Sequence, residues 1–258
     1  MKKIDSFLSK DNEPQTIKLL MGPPGCGKTY LAEQRAKQIN AQFVYMLCHE
    51  ELTMDELFMG VNISAAVKGD SENVDQEGYI TQACRLSHKN KVVLLLDEID
   101  KAPTRIENNL LDFLQSGIAR IRPGEYVQAN VQNLEVYMTS NQIREHTEPF
   151  LRRCERIFMQ PLSNNKIVEI LHNKTGLSEV TINVIWKAAT SIAACEGNYA
   201  LSVQEGEYLI YDLYTKCSSL KDVQEVYAAR AARHEEGYEA TFREKKLQTV
   251  WGLVKKGV

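Results

Sequence analysis

The sequence has few of the residues that build disulfide frameworks or metal-bound domains. Its 258 residues include six cysteines, with no C-x-x-C pair among them, and five histidines, with no two at metal-ligand spacing. Scattered thiols of this kind are typical of a reducing compartment. We therefore expect a cytoplasmic protein without a disulfide framework and without a structural metal site.

Long hydrophobic runs and a surplus of positive charge are also missing. No apolar run is longer than several residues, whereas a helix that spans a bilayer needs about 20. The basic start, Met1-Lys2-Lys3, turns polar before a signal-like apolar core can form. The formal net charge of −3 gives no general attraction for nucleic acid. These absences argue against a membrane segment and make nucleic acid a less favoured partner.

Residues 22–29, GPPGCGKT, match a phosphate-binding loop at every position of G-x-x-x-x-G-K-[ST]. A strand signal at 17–21 precedes the loop and a helical pattern follows it, which is the context that the motif requires. The glycines let the backbone turn its N–H groups towards phosphates, while Lys28 reaches the β- and γ-phosphates and the Thr29 hydroxyl binds Mg²⁺. The predicted nucleotide-binding residues of this stretch are Gly22, Pro23, Pro24, Gly25, Cys26, Gly27, Lys28, Thr29 and Tyr30.

A second acidic element follows an aliphatic run at 92–96. Such a run is typical of a parallel strand covered on both faces, and it ends in Asp97 and Glu98. The carboxyl end of a central strand lies at the crevice where open α/β sheets bind ligands. We predict that Asp97 joins Thr29 in holding Mg²⁺ and that Glu98 polarises the water that attacks the γ-phosphate.

The strand signals alternate with helical patterns, which predicts a parallel α/β sheet. They lie at 17–21, 41–48, 92–96, 134–140 and 156–160. We also expect a helical segment at 52–60 and two hairpin inserts at 61–78 and 118–133. Helical patterns then dominate, at 163–174, 178–195, 202–214, 220–234 and 240–254. The predicted domains are a phosphate-loop core at 1–162 and a helical domain at 163–258.

The motifs GPPGCGKT, LLLDEID, TSN and FLRRCERIF together resemble the AAA+ ATPases. Residues 52–60, 96–103 and 113–121 are similar to segments of the MoxR-like and dynein-related group. The resemblance implies an αβα parallel-sheet core with a C-terminal helical lid. It also implies ATP and Mg²⁺ as ligands and a ring of identical subunits, a hexamer in this group.

The resemblance assigns further roles at three positions. Asn141 matches a sensor amide that positions the attacking water. Arg153 matches an arginine finger that enters the neighbouring subunit's site, with Arg152 and Arg156 as alternatives. The second sensor arginine of the group is replaced by Gln204, which brings no charge. The alternatives for this second sensor are Arg230 and Arg233.

We expect from these features a ring-forming ATPase that remodels a protein client. The first strand signal begins near residue 17, so we expect no N-terminal recognition domain and a need for a partner, by resemblance a von Willebrand factor A-domain protein. One alternative is a nucleic-acid motor or loader, because Arg120 and Arg122 lie on the second hairpin. Another is an ATP-gated scaffold with little hydrolysis, in keeping with Gln204.

Overall fold

The computed structural model describes residues 16–61, 75–195 and 201–257. These residues form two compact units. The first ends at Met159, and the second begins at Gln160 and also includes the short segment Pro24–Cys26. The domain ranges 1–162 and 163–258 stay a prediction, and each unit is described by itself.

The first unit is built on a parallel sheet of five strands in the order β2-β5-β8-β1-β9. Two antiparallel hairpins, β3 with β4 and β6 with β7, accompany it. The strands are β1 Thr16–Met21, β2 Gln42–Leu47, β3 Met59–Val61, β4 Asp75–Glu77, β5 Val92–Asp97, β6 Ile118–Arg122, β7 Glu125–Gln128, β8 Leu134–Ser140 and β9 Glu155–Phe158. The helices are α1 Lys28–Gln38, α2 Met54–Leu57, α3 Tyr79–Ser87, α4 Thr104–Ser116 and α5 Glu148–Leu151, with a 3₁₀ turn at Ile99–Lys101.

Strand β5 is buried along its whole length, as its aliphatic sequence predicts. Leu94 and Leu96 pack into the core on one face of the sheet, while Val93 and Leu95 pack into the core on the other. Alternate side chains of a strand point to opposite faces, so a sheet covered on both sides needs apolar residues at every position. The α/β fold class is confirmed.

The predicted helix at 52–60 is wrong beyond a single turn. Thr53 caps α2 through a capping box with Glu56, but the chain leaves the helix after Leu57. Residues Met59–Val61 instead pair antiparallel with β4. Pairing with a strand that lies more than ten residues away outweighs local helical propensity. The periodicity of the sequence does not reveal such a pairing. The alternating residues 63, 65 and 67 of the predicted insert lie outside the described residues.

The second hairpin has the turn that its sequence predicts. Strands β6 and β7 flank Pro123 and Gly124, and Gly124 has a φ of 82°, a left-handed conformation that glycine adopts without strain. Arg122 of β6 forms an ion pair with Asp75 of β4. The two hairpins are therefore connected by a salt bridge.

The second unit is helical. Its described helices are α6 Asn164–Thr175, α7 Glu179–Ala194, α8 Val203–Lys216, α9 Leu220–Ala231, α10 Glu235–Arg243 and α11 Lys246–Gly257. They surround a core that includes the fully buried Trp186 and Tyr227. None of the described helices is long and apolar enough to cross a membrane.

The predicted single helix at 240–254 is also wrong, because two helices share this range. Helix α10 ends at Arg243, and Glu244 adopts an extended conformation with a ψ of 106°. The Glu244 carboxylate then accepts the backbone N–H of Lys246 at 3.0 Å. This break allows Leu247 and Val250 to enter the core of the unit, so burial of apolar area decides where the helix stops.

Candidate active site

The loop between β1 and α1 has the conformation that its glycines predict. Gly27 has a φ of 91°, a left-handed conformation that other residues rarely adopt. It comes directly before α1, so the free N–H groups of the helix N-terminus open onto the loop. Of the other predicted loop residues, Gly22 and Cys26 are buried, and the exposed ones are Pro23, Pro24, Gly25 and Tyr30.

Lys28 is a buried cation with neutral oxygens among its partners. Its exposed fraction is only 7%. The ammonium donates to the carbonyls of Gly22 and Pro23, both at 2.8 Å, and to Asn141 Oδ1 at 2.7 Å. Anionic phosphate oxygens are stronger acceptors for an ammonium than neutral carbonyls. A nucleotide phosphate therefore suits this position.

Three hydroxyl groups contact the carboxylate of Asp97, which is 8% exposed. Thr29 Oγ1 lies 3.0 and 3.1 Å from its two oxygens. Thr139 Oγ1 donates to Oδ1 at 2.5 Å, and Tyr45 Oη to Oδ2 at 3.3 Å. Burial, and next the Asp97 charge, raise the pKa of Tyr45, so Tyr45 stays a neutral donor.

The donor set around Asp97 fits Mg²⁺. Carboxylate and hydroxyl oxygens are the hard ligands that this ion prefers, usually with one or two carboxylates and the substrate phosphates. Thr29 and Asp97 supply one of each within hydrogen-bonding distance. The predicted metal-binding pair is thus brought together by the fold.

Glu98 has an unusual backbone and two side-chain partners. Its φ of 56° and ψ of 47° place it in the left-handed region, where a residue with a side chain is strained. Its carboxylate accepts Asn141 Nδ2 at 2.9 Å and pairs with Lys101 Nζ at 2.6 Å. The Asn141 amide therefore contacts the cation of Lys28 through its oxygen and the carboxylate of Glu98 through its nitrogen.

A buried carboxylate from the 3₁₀ turn holds the start of the loop that carries Asn141. Asp100, which is 3% exposed, accepts the backbone N–H groups of Asn141 at 2.9 Å and Ile143 at 3.0 Å. Between them, Gln142 is left-handed with a φ of 60°. Two hydrogen bonds to one carboxylate oxygen thus fix the backbone on either side of a strained residue.

A second buried carboxylate, Glu107 of α4, holds the end of the same loop. It accepts His146 Nδ1 at 2.7 Å, the Thr147 N–H at 2.9 Å and Arg144 Nη1 at 2.6 Å. Burial alone would raise the pKa of Glu107, but these hydrogen bonds and the Arg144 charge hold it at about 2. The loop 141–147 is therefore anchored to the segment that follows Glu98 at both of its ends.

The arginines after α5 differ in how firmly they are held. Arg153 donates to the Pro149 carbonyl at 2.8 Å and to Gln115 Oε1 of α4 at 2.7 Å. Arg152 contacts only Glu148 among the described hydrogen bonds, and its side chain is 74% exposed. Arg156 is exposed. The choice of Arg153 as the finger stays a prediction.

In the second unit, Gln204 lies in the first turn of α8. Its Nε2 donates to Tyr208 Oη at 3.3 Å. The two alternative sensor residues are engaged in ion pairs of this unit, Arg230 with Asp212 at 2.7 Å and Arg233 with Glu205 at 2.9 Å.

Comparison with known proteins shows the family of this chain. A model described as the AAA domain of the dynein-related subfamily matches residues 18–154. The chain belongs to this family. Members of the wider AAA+ group generally bind ATP with Mg²⁺, in agreement with the buried ammonium of Lys28 and the oxygen ligands that Thr29 and Asp97 offer.

The AAA domain is also similar to parts of several chaperone proteins named ClpB. The protein of Vibrio vulnificus strain YJ016 is 34% identical over 136 residues, which is 52% of this chain and 15% of the relative. That of Lactococcus lactis subsp. cremoris is 28% identical over 198 residues, 70% of this chain and 22% of the relative. That of Malacoplasma penetrans is 26% identical over 220 residues, 81% and 30% respectively. The chain spans less than a third of the length of these relatives.

Sequence reasoning missed four side chains that shape this AAA site. They are Tyr45, Thr139, Asp100 and Glu107. Thr139 and Asp100 lie inside the motifs TSN and LLLDEID, but a motif does not say which of its residues contact each other. For Tyr45 the sequence contains a weak indication of a polar contact, because a phenol hydroxyl occurs there within an otherwise apolar strand. Glu107 is a charged residue in a helical pattern, and sequence alone gives no reason to expect it to be fully buried.

The pKa of Glu107 leads to a prediction about acid stability. A folded pKa of about 2, against an ordinary value of 4.5, corresponds to about 3 kcal/mol at about 1.4 kcal/mol for each pH unit. Because the folded pKa is depressed, this stability is present above about pH 4.5 and is lost as the pH falls towards 2. Glu107→Gln should therefore lower the free energy of unfolding at pH 7, and at pH 2.5 by only about a quarter as much.

Chemical denaturation followed by circular dichroism across this pH range measures the difference between the variant and the wild type. Glu145→Gln, which alters an exposed carboxylate of the same loop, is the matched control. Its free energy of unfolding should differ little from that of the wild type at every pH. A difference for Glu107→Gln that stayed constant from pH 7 to pH 2.5 would contradict the assignment.

Proposed function

We propose that this AAA domain is an ATP hydrolase. One observation carries the proposal, namely the Asn141 amide that contacts Lys28 at 2.7 Å and Glu98 at 2.9 Å. A phosphate-binding cation, a neutral amide and a carboxylate base thus form one continuous group. An amide can donate to one partner while it accepts from another, which suits a residue that orients a water between a phosphate and a base.

Each residue has a separate role in the proposed reaction. Lys28 and the loop N–H groups bind the phosphates, and Thr29 with Asp97 would hold Mg²⁺, which neutralises phosphate charge. Glu98 accepts the proton of the attacking water, and Asn141 orients that water. Lys101, paired with Glu98 at 2.6 Å, must leave this carboxylate before it can act fully as a base.

Two substitutions test the division between binding and chemistry. Lys28→Ala should abolish ATP binding, because the buried ammonium is lost. Glu98→Gln should bind ATP and lose turnover by roughly 10²–10⁴-fold, the usual contribution of a general base. Equilibrium binding and phosphate release measure the two effects, with Lys37→Ala, an exposed lysine of the same helix, as the control. Equal ATP affinity in Lys28→Ala and the wild type would refute the site.

We further propose that the active form is a homo-oligomeric ring, of hexameric size in this group, with Arg153 as the finger supplied to a neighbour. Such a finger stabilises the charge of the transferring phosphoryl group. The contacts of Arg153 with Pro149 and Gln115 support it over Arg152, since a held guanidinium loses less freedom when it binds.

Mixed rings test the finger. Arg153→Ala should bind ATP normally, lose roughly 10³-fold or more in turnover, and inhibit the wild type when the two are mixed. Arg152→Ala, with its exposed pair to Glu148, should keep most of the activity. A wild type that is monomeric and equally active at every dilution would exclude a finger from a neighbour.

The proposed work of the ring is the remodelling of a protein client in the manner of a MoxR-like chaperone. The similarity to ClpB chaperones supports this class, and a von Willebrand factor A-domain protein is the proposed partner. The two hairpins, joined by Arg122 and Asp75, are the proposed client contact.

The charges of the hairpins disfavour the nucleic-acid alternative. Arg120 pairs with Asp112 at 2.9 Å, and Arg122 pairs with Asp75. Arginines that already face carboxylates release fewer counterions from a phosphate backbone, and this release drives non-specific binding. The described part of the second hairpin thus offers little of the charge that a nucleic-acid motor needs.

The remaining alternative, a scaffold that binds ATP with little hydrolysis, depends on the uncharged Gln204. Gln204→Arg should tighten ATP binding about tenfold or more if this position faces the nucleotide, because a charged hydrogen bond contributes about 1.5–3 kcal/mol. Gln204→Ala, which removes the contact to Tyr208 without adding charge, is the control. No gain from Gln204→Arg, with a loss from Arg230→Ala or Arg233→Ala, would move the second sensor to those residues.

A further inference from the structure

The hydroxyl of Thr139 bonds to both acidic residues of the site. Thr139 lies one residue before the end of β8 and is 1% exposed. Its Oγ1 donates to Asp97 Oδ1 at 2.5 Å and accepts the backbone N–H of Glu98 at 2.8 Å. The hydroxyl donates its single proton to Asp97, and one of its lone pairs accepts the N–H of Glu98.

The contact with Asp97 fixes the direction of the carboxylate. Thr139 Oγ1 and Thr29 Oγ1 both lie within 3.0 Å of Asp97 Oδ1. The two hydroxyls come from different elements of the fold, β8 and α1, so together they limit rotation of the carboxyl group. A metal-binding carboxylate that is itself held by hydrogen bonds presents its oxygens to the metal in one orientation.

The contact with Glu98 supports a strained backbone. A left-handed conformation at a residue with a side chain costs about 1–3 kcal/mol and persists only where neighbouring groups enforce it. The Glu98 N–H has its acceptor in Thr139. The Glu98 carboxylate reaches Asn141 from this backbone conformation, so a change in the backbone would alter the distance between the base and the amide.

We propose that Thr139 is a positioning residue that sets the geometry of both the metal-binding carboxylate and the general base. This inference rests on the proposed ATP hydrolysis for the role of Glu98. Its effect on Asp97 concerns Mg²⁺ binding and can be measured without hydrolysis. Neither the sequence motif nor the family match assigns a role to this hydroxyl.

The test compares Thr139→Val, which keeps the shape and removes the hydroxyl, with Thr139→Ser, which keeps the hydroxyl. Ser87→Ala is the matched control, since the buried Ser87 hydroxyl also donates to a carbonyl, that of Cys84 at 2.6 Å, and accepts an N–H, that of Asn130 at 2.8 Å. It belongs to α3, and none of the hydrogen bonds of Ser87 among the described residues reaches the proposed site. Unfolding is measured for every variant.

We expect Thr139→Val to lower kcat about 10–100-fold with little change in KM for ATP, and to need several-fold more Mg²⁺ for half-maximal binding of a fluorescent ADP analogue. Thr139→Ser should stay within about threefold of the wild type in both. Ser87→Ala should lose stability and keep its activity. If Thr139→Val does not fold, Thr139→Ala takes its place. Comparing it with Thr139→Ser again contrasts a side chain without a hydroxyl with one that has it.

Equal kcat and equal Mg²⁺ dependence in Thr139→Val and Thr139→Ser would overturn the proposal. If the wild type itself does not hydrolyse ATP, the proposed function fails, but the Mg²⁺ dependence of ADP binding still decides the role of Thr139. A raised Mg²⁺ requirement in the valine variant alone supports it, and an unchanged requirement in all variants refutes it.

Discussion

The register of three parallel strands is the constraint on which the site depends. Met21 of β1 lies beside Ser140 of β8, and Leu96 of β5 lies beside Met138. The carboxyl ends of the three strands therefore reach the same edge of the sheet. The phosphate loop, the acidic pair and the amide each follow one of these ends, so a shift of one strand by a residue would separate them.

The site then concentrates charge where water is scarce. Lys28, Asp97 and Asp100 are each less than a tenth exposed, and Glu107 is fully buried. Burying an ionised group is costly unless hydrogen bonds and opposite charges offset the loss of water. Lys28, Asp97 and Glu107 each have at least three such partners, and Asp100 accepts two backbone N–H groups. The result is a set of donors and acceptors whose directions are fixed before a ligand arrives, which is what electrostatic catalysis requires.

Helix α4 connects this edge to the hairpins. It begins shortly after the acidic pair and leads into β6. Glu107 near its start holds the loop that carries Asn141, and Gln115 near its end contacts Arg153. The loop that carries Asn141, the proposed finger and the root of the second hairpin are thus all attached to this one helix. This arrangement suits the proposed coupling of ATP hydrolysis to motion of the second hairpin.

The sequence by itself determined the parts of the protein whose conformation is local. Gly27 adopts a left-handed conformation that requires glycine, and the aliphatic run of β5 requires burial on both faces of the sheet. Lys28 and Thr29 follow Gly27 directly, so both lie in the first turn of α1. Tertiary structure decided the rest. The strand pairing of Met59–Val61, the break at Glu244, and the contacts of Thr139, Asp100 and Glu107 all depend on partners that are close in space. Most of those partners lie about 40 residues apart in the chain, and local propensity and periodicity carry no information about such contacts.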